Sequence, residues 1–162
     1  MVFTVNEVAR LLRSLEGRYG LTARGIRYYA RAGMVVPTGR MRAGKRARAT
    51  RLYTVNDVAL LRLVCRLRRQ RAHERAIWGL LVYRGEELRT LLAQGSGVVT
   101  VDTPAALAIT TEDPRTRKPI RIEASSLVGG LAERLARYRE RNPTLWTGLA
   151  WVDAGKAAEQ IV

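Results

Sequence analysis

The sequence predicts a mainly α fold with small β elements, in which an N-terminal unit of short helices carrying a β-hairpin is followed by a small α+β unit. Three observations predict it. Apolar residues recur at helical spacing through much of residues 4–94, and strand-like alternation takes over after residue 97. The charge is divided unevenly: of 29 Lys+Arg and 14 Asp+Glu, net +15, residues 1–75 hold 18 basic and 4 acidic groups, while residues 76–162 hold 11 and 10. A phosphate-binding unit ahead of a charge-balanced one has this distribution, whereas a general arginine bias would raise both halves.

TVNEVARLLR (4–13) opens with Thr4 as N-cap and Glu7 as its capping-box partner, and places Val5, Val8, Leu11 and Leu12 on one face. SLEGRYG (14–20) is polar with two glycines and reads as a loop. Thr22 caps a second helix to about residue 32, stopped by Gly33. Six of the fourteen residues from Thr38 to Arg51 are basic, and Gly39 and Gly44 mark turns, so two short strands joined by a basic loop are expected. Thr54 with Asp57 restarts a helix to about residue 71. Val55, Val58, Leu61 and Cys65 form its apolar stripe, with Arg62, Arg66 and Arg69 on the opposite face.

Two further helices, 74–83 and 86–94, are expected to break at Gly85, and residues 95–97 (GSG) mark a boundary. VVTVD (98–102), ALAITT (106–111) and IRIEA (120–124) read as strands. Ser125 or Ser126 then caps a helix to residue 141 with Leu127, Leu131, Leu135 and Tyr138 on one stripe, suited either to self-association or to packing on its own sheet. Three parts are therefore expected: residues 1–82, a connecting helix and linker over 83–97, and a dimerisation or partner-binding domain over 98–162.

Two helices, an arginine-rich strand-turn-strand and a further helix follow the order of a winged helix-turn-helix. In that arrangement the first turn of the second helix, from Thr22, faces bases. Arg24, Arg27 and Arg31 recur along one face, and guanidinium suits both guanine edges and phosphates. The hairpin over residues 38–53, with Arg40, Arg42, Lys45, Arg46, Arg48 and Arg51, would hold phosphates.

Other chemistries fit less well. Gly39 to Lys45 has phosphate-loop spacing, but Arg46 stands where Ser or Thr must hold magnesium and no helix follows. Cys65 and His73 are the lone residues of their types, which leaves no disulfide and no Cys/His zinc cluster. No general acid/base pair can be assembled, so neither an enzyme, a metal nor a cofactor is expected. Cys65 lies on an apolar stripe as a small buried hydrophobe, His73 falls in a turn, and Trp146 and Trp151 suit a core or interface seal. Neither a membrane span nor a secretory leader is visible, so the expected location is cytoplasmic, on the nucleoid.

FTVNEVARLL, LTARGIRYYARAGMVVP and TRLYTVNDVALLRLVCRLR together resemble the DNA-binding domain of the MerR family of bacterial transcription regulators, over residues 1 to about 82. That family pairs an I-R-Y-Y recognition helix with a wing ending in R-x-Y. The resemblance implies a groove-facing Arg24, contacts from Arg27 and Tyr28 to backbone or base edges, a core role for Tyr29, a phosphate-binding Arg51 and a wing anchor at Tyr53. It departs from the pattern in a longer turn over residues 15–20 that adds Arg18 and Tyr19, in a longer wing, in Thr50 where an aromatic is common, and in Ala30 where an acid is usual. It also implies double-stranded DNA and a homodimer as partners, with RNA polymerase as a further one. An architectural or recombination-accessory DNA-binding protein, excisionase-like or partition-like, is the alternative, and an RNA-binding accessory protein the second.

Overall fold

The computed structural model describes residues 2–42, 50–101 and 120–141, together with the strand Ala150–Trp151. In chain order the elements are β1 (Val2–Thr4), α1 (Val5–Glu16), a 3-10 turn (Gly17–Tyr19), α2 (Ala23–Arg31), β2 (Gly39–Arg42), β3 (Thr50–Thr54), α3 (Val55–Arg69) and α4 (Glu74–Gln94). After them come β4 (Val98–Val101), β5 (Ile120–Glu123), α5 (Ala124–Val128), α6 (Leu131–Arg141) and β6 (Ala150–Trp151).

Local chemistry starts the first three helices where expected. Thr4 and Glu7 form a reciprocal capping box at α1, Thr54 and Asp57 another at α3, and Thr22 Oγ1 accepts from Gly25 N at α2. A strand that periodicity did not reveal precedes α1. In β1, Phe3 pairs opposite Tyr53 of β3, and both side chains are fully buried. β3 pairs antiparallel with β2, which pairs on its other side with β6, giving the order β1-β3-β2-β6. β4 and β5 form a separate antiparallel pair.

α3 is the centre of the fold. Every residue from Asp57 to Cys65 is buried, because α1, α4, α5, α6 and β5 all pack around it. Arg62 therefore does not lie on a solvated face as the stripe suggested. Its Nε sits 2.7 Å from Glu16 Oε1, and its Nη1 donates to the Leu127 carbonyl at 2.9 Å. Arg66 Nε lies 2.6 Å from Glu16 Oε2, a charge contact whose N–H is not aligned for a hydrogen bond. Of the three arginines, only Arg69 is exposed as expected.

The same cluster corrects the loop expected over residues 14–20. Glu16 is drawn inward by the two guanidiniums, so α1 runs on to it and the 3-10 turn follows. The turn folds tightly against α1: a Cβ at Gly20 would lie 2.6 Å from Arg13 Cα, which only glycine avoids.

The break expected at Gly85 is present one residue earlier: residues 74–94 are two helical segments that meet at a kink at Arg84 (φ −125°, ψ 16°), and α4 denotes both. Leu88 and Leu92 continue the buried row of Ala76, Ile77, Leu80 and Leu81, so both halves lie on one core, and Arg84 pairs with Glu87 across the bend. The expected last helix is broken at Gly129 and Gly130 into α5 and α6. Ser126 does not cap it, since its Oγ donates to the Glu123 carbonyl. Leu127, Leu131 and Leu135 are fully buried in the shared core, so that stripe packs on its own chain and is not a self-association face. The expected strand over 106–111 lies outside the described residues.

Replacing Glu16 by Ala leaves Arg62 charged and unpaired in the interior. The variant is expected to lose about 3–5 kcal/mol in chemical denaturation, with most of the loss recovered when Arg62 is also replaced by Leu.

Candidate nucleic-acid interface

α2 buries Ile26 and Tyr29 and turns Arg24, Arg27, Tyr28 and Arg31 outward. Among the described residues none of the three arginines makes an ion pair, so their charge is available to a ligand. Tyr29 anchors the helix from below. Its hydroxyl donates to Glu74 Oε1 at 3.2 Å, and its ring packs edge-on against Tyr28 with centroids 5.5 Å apart. Burial above all, and then the Glu74 charge, push the Tyr29 phenol well above its ordinary range. Tyr29 is thus a neutral core donor, as the resemblance implied.

A cleft of about 650 Å³ opens at the start of α2, lined by Arg18 and Tyr19 of the 3-10 turn, Thr22, Arg24, Tyr28 and Arg68. Arg18 lies over the Tyr19 ring at 4.9 Å and donates to the Tyr19 hydroxyl at 2.9 Å. Thr22 Oγ1 is engaged as the cap acceptor, leaving its hydroxyl proton free to donate. Arg68 is the lining residue that sequence reasoning missed. The run RLRRQR (66–71) was its signal, but only the packing of α3 brings this one arginine to the cleft.

In the hairpin, Arg40 on β2 and Arg51 on β3 are directly opposite each other. Like charges at such a pair repel, and an anion between them would relieve the repulsion. Beneath them Tyr53 is fully buried, its phenol pushed up by burial while the Arg51 guanidinium and, more weakly, that of Arg27 pull the other way. Arg42 lies in β2. Lys45, Arg46 and Arg48 fall outside the described residues, as does Trp146; Trp151 lies in β6, opposite Met41 of β2.

Asp57 fixes the base of the hairpin. Its fully buried carboxylate accepts from Thr54 N and Oγ1 at 2.9 Å each and from Thr38 Oγ1 at 3.0 Å, while Arg89 Nη1 of α4 donates to Oδ1 at 2.7 Å.

Helix, turn, capped helix and arginine-bearing hairpin follow one another in the order of a winged helix-turn-helix, and residues 3–77 match the family model described as MerR HTH family regulatory protein. Residues 3–77 are a MerR-family helix-turn-helix domain. No curated protein and no solved structure matches the chain. MerR domains bind DNA in transcription regulation. Among the described residues no group of three or more His, Cys, Asp or Glu residues could hold a metal ion, and no helix is long and apolar enough to cross a membrane. His73 caps α4 by accepting from Arg75 N through Nδ1.

Cys65 is buried within the MerR domain, and burial pushes its thiol up to about 11. Little thiolate exists at pH 8, so iodoacetamide is expected to leave Cys65 unlabelled in the folded protein and to label it promptly in denaturant.

Proposed function

We propose that the chain is a sequence-specific double-stranded DNA-binding transcription regulator that acts as a homodimer. α2 enters the major groove and the hairpin over residues 38–53 holds flanking phosphates. One observation carries this reading: a capped helix turns outward three arginines that make no ion pair among the described residues, and the hairpin that follows it sets Arg40 directly opposite Arg51. Bidentate guanidinium contacts to guanine suit Arg24 at the helix start, and point-charge contacts to phosphate suit the hairpin. Arg18 and Arg68 extend the phosphate track along the cleft beside α2.

The dimer contact belongs on α4. With Leu127, Leu131 and Leu135 committed inward, the first half of α4 groups three exposed large apolar side chains, Trp78, Val82 and Tyr83, with Trp78 and Val82 one turn apart, whereas Tyr28, Val36 and Val98 are scattered over other elements. Residues 98–162 are then assigned to partner binding. A Trp78→Arg, Val82→Glu double variant is expected to sediment as a folded monomer where the unaltered chain sediments as a dimer.

Selection of randomised duplexes at roughly 150 mM salt, where non-specific attraction is screened, tests the reading. An enriched inverted repeat is expected. Arg24→Ala should lose about 1–3 kcal/mol of discrimination at one position of each half-site. Arg40→Ala should weaken all duplexes alike and lower the salt slope by about one. Retention without a motif, or ready displacement of the duplex by structured RNA, would overturn it.

A further inference from the structure

A second basic site lies between α1 and α6, and none of the residues that line it belongs to α2 or the hairpin. Its volume is about 450 Å³. α1 contributes Arg10, Leu11, Ser14 and Leu15, and α6 contributes Arg134, Arg137, Tyr138 and Arg141. The three α6 arginines recur at i, i+3 and i+7, which puts them on one face of the helix. Arg10 Nη1 donates to the Tyr138 hydroxyl at 3.2 Å, joining the two walls.

Charge in this groove is poorly balanced. The acid paired here is Glu133, 3.8 Å from Arg137 with both side chains largely exposed, a weak contact in water. Arg10, Arg134 and Arg141 make no ion pair among the described residues. The fold does not require these guanidiniums, because α6 is held by buried Leu131 and Leu135 and α1 by buried Val8, Leu11 and Leu12. Four like charges around one concavity raise each other's energy, and a bound polyanion reverses that term. Leu11, Leu15 and the Tyr138 ring supply apolar surface beside the charge, and the volume is that of a small-molecule site. A DNA duplex is too wide to enter it.

We propose that the groove between α1 and α6 binds a small organic polyanion of the nucleoside polyphosphate class. Its phosphates lie among Arg10, Arg134, Arg137 and Arg141, and its ring lies on Leu15 and Tyr138. The ligand bridges a helix of the MerR domain and a helix of the part behind it, so this is a site for a signal molecule. Binding itself does not depend on the DNA reading.

Calorimetric titration of the whole chain, without DNA, at roughly 150 mM salt tests the site with ATP and with inorganic tripolyphosphate as probes. ATP is expected to bind saturably, one per chain, and tripolyphosphate more weakly. The Arg134→Gln, Arg137→Gln double variant should bind ATP about tenfold or more weakly, since each lost guanidinium removes a charge-assisted contact. Ser14→Glu, an exposed change that brings a negative charge into the groove from the opposite wall, should weaken it as well, and Arg84→Gln on α4 should not. Melting curves and duplex affinity of the same variants, expected to be unaltered, separate loss of the site from loss of the fold or of DNA binding. Absence of saturable ATP binding would overturn the proposal, as would equal losses in Arg84→Gln. Tripolyphosphate binding as tightly as ATP would overturn the organic class of the ligand. Displacement of ATP by stoichiometric duplex, with Arg24→Ala losing ATP binding, would move the anion to the DNA-binding face.

Discussion

One carboxylate without access to water, that of Glu16, organises the packing of this chain. It is gripped by Arg62 and Arg66 from the central helix, and Arg62 reaches on to the Leu127 carbonyl. A buried charge of this kind is tolerated only when its partners are held in place, so α1, α3 and α5 each depend on the others' positions. The extra turn of α1 that carries Glu16 also sets where the chain doubles back at Gly20. That in turn determines where Leu21 and the cap Thr22 start α2. The start of α2 thus follows from an ion cluster that includes none of its residues.

Asp57 plays the corresponding part for the hairpin. Its carboxylate collects donors from the start of α3, from Thr38 just ahead of β2, and from Arg89 in the second half of α4. The base of the hairpin and the helix that bears Trp78 and Val82 are therefore tied to one buried group. A displacement of α4 past its bend at Arg84 changes what Arg89 can offer Asp57, and with it the anchorage of Arg40 and Arg51.

What could be read from the sequence follows the range of the forces involved. The caps at Thr4, Thr22 and Thr54 were legible because each is a bond across three residues. The outward set on α2 was legible because its period is helical, and the core position of Tyr29 was legible through the family resemblance, which gave Tyr53 only as an anchor of the wing. Arg62 was misread because an arginine opposite an apolar stripe belongs in water unless a carboxylate meets it inside, and that carboxylate is 46 residues away. The break beside Gly85 was legible because helix propensity is local, and the kink falls at Arg84, while the burial of Leu88 and Leu92 on the same core came from tertiary packing. β1 was hidden because three buried residues show no alternation, and Arg68 because its place at the cleft comes from the packing of α3 alone.

The burial of α3 on all sides bears on how far the chain can be divided. One face of that helix is covered by the MerR domain's own α1, but another is covered by α5, α6 and β5, through Leu127, Leu131 and Leu135. A fragment ending near residue 82 would carry the whole DNA-binding sequence while presenting that second face to water, along with an Arg62 deprived of its carbonyl partner. Amides in the middle of α3 open to solvent only when both flanking sets of helices leave, so the backbone there exchanges with the global unfolding event. The MerR domain and the part behind it consequently melt as one cooperative block, and the chain reports damage at either end as a loss of the whole.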